Sequence, residues 1–119
     1  MAYVDGFLIV VPKKKVDAYR KIARLAGKVW MELGAVQYVE CVGDDLNPSF
    51  GTTFPKRVKL KAGEALVFSW ILYKNKAARD RINKKVMKDP RLAKLMTPGA
   101  MPFDTKRMST GGFTVLVDA

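Results

Sequence analysis

The sequence predicts an α+β domain with the split βαβ, or ferredoxin-like, order βαββαβ. Two observations carry this. Four long runs rich in β-branched and aromatic residues alternate with two helical periodicities, and that order places a four-stranded antiparallel sheet beneath two helices on one face. The chain has 119 residues, 49% of them hydrophobic, without low-complexity or linker segments. That is enough for one packed core, so residues 1–119 are expected to form a single domain.

The elements follow in order. "YVDGFLIVV" (3–11) reads as a strand that stops at Pro12. Val16, Tyr19, Ile22, Ala23, Ala26, Val29, Trp30 and Leu33 then recur at helical spacing as far as Gly34, which supplies a C-terminal stop. The opposite stripe of that helix is Asp17, Lys21, Arg24 and Lys28, with Asp17 and Lys21 at a favourable i,i+4 spacing. Gly27 inside the helix costs about 1 kcal/mol against Ala, which points to close packing on the sheet. "AVQYVECVG" (35–43) is the second strand. A polar, turn-rich stretch follows it, and "KRVKLKAGE" (56–64) then alternates like a short, half-exposed strand or arm.

"EALVFSWILY" (64–73) is the third long strand. A helix is expected from about Asn75 to Lys88, with Ala78, Ile82 and Val86 inward and Arg81, Lys84, Lys85 and Lys88 outward. "DPRLAKLM" restarts the helical pattern with Asp89 as N-cap and Pro90 at the first helical position, and "TPG" (97–99) ends it. "FTVLV" (113–117) closes the sheet. Gly111–Gly112 before it marks a β-bulge or a close approach of backbone.

Both faces of these strands read apolar. Leu66, Phe68, Trp70 and Leu72 oppose Val67, Ile71 and Tyr73, and Val4, Leu8 and Val10 oppose Tyr3, Phe7, Ile9 and Val11. Two helices cover only one face. An uncovered apolar sheet would exceed the patch that monomers usually expose, so a second copy packed face to face is expected, giving a homodimeric α/β barrel.

Composition excludes several chemistries. The chain has no histidine and one cysteine, Cys41. The commonest general base and metal ligand are therefore missing, and neither an intramolecular disulfide nor a cysteine-based zinc site can form. Neither metal nor cofactor is expected. Cys41 is read as a small buried hydrophobe, with no histidine to activate it. The run "FLIVV" is too short for a signal sequence or a membrane span, and its lysines follow it, so a cytoplasmic protein is expected.

Net charge is +11. The basic groups lie at Lys13–Lys15, on the Lys21/Arg24/Lys28 stripe, in "KRVKLK" and from Arg79 to Lys94, while the aromatics fall on the inward stripes. Such separation fits a solvated face, or weak attraction for polyanions, better than base recognition, which needs stacking aromatics beside the charge. Phosphate-binding glycine loops are absent.

Asp5 and Glu40 are the conspicuous residues, carboxylates inside apolar strands. Buried carboxylates need a partner, so each either pairs with a basic group or backbone donor, or lines a cavity as a base or ligand acceptor. Parity puts Glu40 with Tyr38 and Val42, and Asp5 with Tyr3 and Phe7. Trp70, Ser69 and Tyr73 are core or pocket wall.

Across the whole chain "YVDGF", "YVECV", "FSWI", "DPRL", "MPFD", "KRM" and "GGF" together resemble the YbaA-like family, a bacterial family of unknown function. The resemblance implies a ferredoxin-like subunit of the dimeric α/β-barrel superfamily, cytoplasmic and without assigned activity. Members of that superfamily include small oxygenases, isomerases and binding proteins that use the barrel interior. Ser109–Thr110 departs from the larger apolar or aromatic residues expected before "GGF".

The expected function is accordingly a homodimeric barrel that binds a small organic ligand, an anionic one included, through Asp5, Tyr38, Glu40, Trp70 and Arg107. As an enzyme it would run metal-free oxygenase- or isomerase-like chemistry, with a carboxylate as base and Lys106 or Arg107 holding an anionic group. The alternative is nucleic-acid or polyanion binding through the basic surface.

Overall fold

The computed structural model describes residues 1–97 and 99–119. Pro98, within the expected "TPG" terminator, lies outside the described residues. The elements are β1 (Tyr3–Pro12), a 3₁₀ turn at Lys13–Lys15, α1 (Val16–Glu32), β2 (Gln37–Val42), α2 (Phe54–Val58), β3 (Glu64–Tyr73), α3 (Lys76–Met87), α4 (Pro90–Ala93) and β4 (Ser109–Thr114). The strands form one antiparallel sheet in the order β2-β3-β1-β4. This is the ferredoxin-like α+β arrangement, with the two most apolar strands at the centre.

The helix boundaries have local causes. Asn75 Oδ1 accepts from the backbone N–H of Ala78 at 2.8 Å, and Asp89 Oδ1 accepts from that of Arg91 at 2.8 Å, so both helices start on the side chains that satisfy their orphan donors. Gly34 closes α1 at φ +116°, a conformation glycine adopts without steric cost. On the exposed face of α1, Asp17 pairs with Arg20 and not with the expected Lys21.

Two expected elements are corrected. "KRVKLK" is not a strand: α2 runs through Val58, started by Thr53, whose Oγ1 accepts from Lys56 N, and by Pro55 in its first turn. Those start signals outweigh an alternation only a few residues long, and Lys59, left-handed at φ 54°, ends the helix. The last strand is also displaced. β4 pairs with β1 from Leu8↔Ser109 to Tyr3↔Thr114 in an unbroken register, so there is no bulge at Gly111–Gly112. Beyond Thr114 the partner strand has ended. Val115 still donates to the Ala2 carbonyl at 3.0 Å, but Leu116 and Val117 are exposed.

Gly112 answers to close approach instead. A Cβ there would lie 2.3 Å from Tyr3 Oη and 2.8 Å from its ring carbon, so only glycine lets the tyrosine lie across β4. Gly27 does the same for α1, since a Cβ would stand 2.9 Å from Tyr38 Cδ1 on β2.

Strand register separates the two faces. Val11, Ile9, Val67, Ile71 and Tyr73 are buried under the helices, against Tyr19, Ala23 and Val29 of α1, Ala78, Ile82 and Val86 of α3 and Leu92 of α4. The other face carries Val4, Leu8, Phe68, Trp70, Leu72, Val39 and Phe113 away from α1, α3 and α4; Phe68 is 45% and Phe113 62% exposed. Phe54 of α2 extends this apolar surface through its ring contact with Phe68 at 6.5 Å.

Gly27→Ala should therefore lose stability, although alanine is the better helix former by about 1 kcal/mol, because the new methyl displaces the Tyr38 ring. In a Tyr38→Ala background the same change should be neutral or stabilising. Chemical denaturation of the four-member cycle reads the sign reversal, and equal effects in both backgrounds would contradict the packing argument.

Candidate functional site: a cavity beneath the helices

A cavity of about 940 Å³ lies between the helix-side face of the sheet, helices α1, α3 and α4, and the connection from Gly99 to Met108. It exists because the helices cover the sheet unevenly. α1 packs on β2 and β1 and α3 on β3, whereas Met101 and Phe103 of the connection close the remaining side. Asp5, Tyr38 and Glu40, three of the five expected ligand residues, line it, joined by Tyr19, Trp30, Ser69, Tyr73, Arg79 and Asn83.

Glu40 is the centre of one polar group. Its Oε1 accepts from the Tyr19 hydroxyl at 2.6 Å and its Oε2 from the Tyr38 hydroxyl at 2.7 Å. No described lysine or arginine pairs with it. Burial first, then the carboxylate, pushes both phenols well above the ordinary value for tyrosine, so they stay protonated donors. The rings are held in turn: Tyr38 packs on Trp30 with centroids 6.0 Å apart, and Tyr19 meets Phe103 edge-on at 5.7 Å.

Asp5 is the centre of the second group and is only 6% exposed. Arg79 Nη1 lies 3.4 Å from its carboxylate, so the basic partner weighed from sequence is present even though the residue also faces the cavity. Arg79 is itself shared. Its guanidinium sits 4.8 Å over the Tyr3 ring, donates to Tyr3 Oη at 3.2 Å and pairs with Asp80 at 3.0 Å. Beside it, Trp30 Nε1 donates to Tyr73 Oη at 3.1 Å and to Asn83 Oδ1 at 3.2 Å, and the Tyr73 hydroxyl donates to the same Asn83 oxygen at 3.2 Å. Burial and the Asp5 charge push the Tyr73 phenol up.

Trp70 and Arg107 lie elsewhere. Trp70 is on the open face, where its Nε1 donates to Gln37 Oε1 at 3.0 Å and its ring packs on Phe68. Arg107 clamps the connection between α2 and β3: both terminal nitrogens meet the Glu64 carboxylate, and Nη2 donates to the Lys59 carbonyl at 3.1 Å. These bonds explain why the Glu64 carboxyl is held below the usual carboxylate range. Arg107 holds backbone and does not face the cavity, so it does not supply the expected grip on an anion there. Cys41, expected buried, is exposed on β2.

Sequence reasoning missed Tyr19, Arg79 and Asn83 as polar members of this site. The signal was present for two of them. Arg79 and Asn83 are four residues apart and flank the inward stripe of Ala78 and Ile82, which is where a helix leans its polar edge over a cavity. Tyr19 read as an ordinary member of the apolar stripe. Nothing in α1 alone says that its hydroxyl meets Glu40, 21 residues on.

The tyrosines supply a pH test. The folded protein keeps the phenolic protons of Tyr19, Tyr38 and Tyr73 above about pH 10, where the unfolded chain releases them, so stability should fall as pH rises past that value. Tyrosinate absorbance from these three should appear only together with loss of the circular dichroism signal. Three tyrosines titrating near pH 10 in a still-folded protein would contradict the burial.

Among the described residues no helix is long and apolar enough to cross a membrane. The family model described as "Protein of unknown function (DUF1428)" matches residues 2–105. "Uncharacterized protein YbaA" of Escherichia coli strain K12 is 45% identical over 118 residues, covering 99% of each chain, and that of Shigella flexneri is identical to the same extent. Among solved structures, a dimeric ferredoxin-like protein from an uncultured marine organism superposes over the full length of both chains with a TM-score of 0.59 at 13% identity, a likeness of fold alone. Full-length identity at that level and the family match lead to one conclusion: the chain belongs to the DUF1428 family, together with YbaA.

Proposed function

We propose that the protein is a homodimeric small-molecule-binding protein whose ligand occupies the cavity between sheet and helices, with Asp5, Tyr38 and Glu40 as contacts. The observation that carries the reading is the pair of carboxylates in one cavity of about 940 Å³, Glu40 held by two phenols and Asp5 beside Arg79. Small-molecule sites are commonly apolar concavities of roughly this size with a few convergent polar groups. The second copy is assigned to the open face of the sheet, where Phe68, Trp70 and Phe113 stand uncovered. This separates the two expectations that the sequence joined in one barrel interior: ligand on the helix side, partner on the other. Trp70 thereby becomes an interface residue and Arg107 a structural clamp. In a catalytic version of this site Glu40 is the base, beside two phenols that remain protonated.

A small-molecule thermal-shift screen combined with light scattering tests both halves. A ligand present at a hundred times its Kd stabilises by about 2.7 kcal/mol, and that shift should vanish in Ala26→Trp, which fills the cavity from α1. Wild type should run as a dimer and Phe68→Asp as a monomer with its stabilising ligands retained. A monomeric wild type would remove the second copy, and ligands still stabilising Ala26→Trp would remove the cavity.

A further inference from the structure

The geometry points to an organic amine as the ligand class: an aromatic or alkyl body carrying a protonated amino group. This rests on the reading of the cavity as the ligand site and adds the charge of what enters it. The argument is a count of donors and acceptors on the cavity wall. The phenolic, indole and guanidinium donors are largely engaged within the wall, although Arg79 Nε, 3.0 Å from Asp80, makes no aligned hydrogen bond. The hydroxyls of Tyr19 and Tyr38 both donate to Glu40, the Trp30 indole and Tyr73 hydroxyl to Asn83 Oδ1, and the Arg79 guanidinium serves Tyr3, Asp5 and Asp80.

The acceptors are not used up. Each Glu40 oxygen takes one described hydrogen bond and has room for a second. Asp5 has Arg79 as its charged neighbour, at 3.4 Å, and that cation is shared with Asp80. Ser69 is 5% exposed on the same wall, and its hydroxyl, in no described hydrogen bond, can accept as well as donate. A ligand that completes the two carboxylates must donate.

Charge gives the same answer independently. The charged residues on the wall are Asp5, Glu40 and Asp104 against Arg79 alone, within a chain of net charge +11. The interior thus has the opposite sign to the surface. A carboxylate half-buried without a cation is poorly solvated, and a bound ammonium relieves it. The aromatic rings of Tyr19, Tyr38 and Trp30 on the same wall suit a cation better than an anion. An anionic ligand would instead meet the wall carboxylates with the single guanidinium already engaged.

A matched set of probes decides the matter: phenethylamine, phenethyl alcohol and hydrocinnamate, titrated calorimetrically at neutral pH and physiological salt. The amine should bind about tenfold more tightly than the alcohol, with the acid weakest, since bonds to a charged group exceed neutral ones by that order. Glu40→Gln keeps the shape and removes the charge, and should abolish the preference, bringing the amine and the alcohol to the same affinity. Hydrocinnamate binding as tightly as the amine, or amine affinity unaltered in Glu40→Gln, would overturn the assignment. If the alcohol or acid binds wild type and not Ala26→Trp, while the amine fails, the cavity reading stands and the amine class falls. Failure of all three at millimolar concentration counts against the cavity reading itself.

Discussion

The carboxylate of Glu40 lies beneath α1 with no described cation against it, held by the hydroxyls of Tyr19 and Tyr38 at 2.6 and 2.7 Å. Much of the helix side of the molecule follows from accommodating it. One phenol comes from α1 and the other from β2 itself, so the carboxylate ties the helix to the sheet at a fixed separation. The Tyr38 ring then occupies the space between them, which is why α1 carries glycine at position 27 despite the cost to the helix. A buried carboxylate that loses such partners is strongly unfavourable, so the tie holds α1 in register with β2. It also keeps the wall of the cavity open, because two rigid rings braced by Trp30 and Phe103 cannot collapse into it.

A second constraint is the sheet with two apolar faces. Antiparallel sheets normally present one face to the core and one to water. Here register puts the carboxylates and phenols on the helix side and leaves Leu8, Phe68, Trp70 and Phe113 on the other. The consequence is a division of labour across a single layer of backbone. Groups that can hold a small polar molecule are under the helices, and groups suited to a dry contact are opposite.

The parts of this that could be read in the sequence are those governed by period and by end signals. Strand alternation fixed which residues share a face, including Asp5 with Tyr3 and Glu40 with Tyr38, and β3, the start of α3 near Asn75 and the cap residue Asp89 follow from local chemistry. α2 and the end of β4 were misread for complementary reasons. In α2 a short alternation concealed an N-cap and a proline, and in β4 the apolar run outlasts the partner strand available to pair with it. The site was legible in part. Parity placed Glu40 with Tyr38 on one strand and Asp5 with Tyr3 and Phe7 on another, but their meeting in one cavity and the roles of Trp70 and Arg107 depend on which face the helices cover and where the Glu64 carboxylate lies, all set by contacts distant in sequence.

The central claim is that ligand enters the helix side of the sheet and not its open face. Methyl groups report this directly, because neighbouring residues of one strand point to opposite faces. In a methyl-labelled sample titrated with the amine, the resonances of Ile9, Ile22 and Ile71, which line the cavity, should shift in a saturable way. Those of Val4, Leu8, Val39 and Leu72 should stay in place. Saturable shifts confined to the second set would contradict the account.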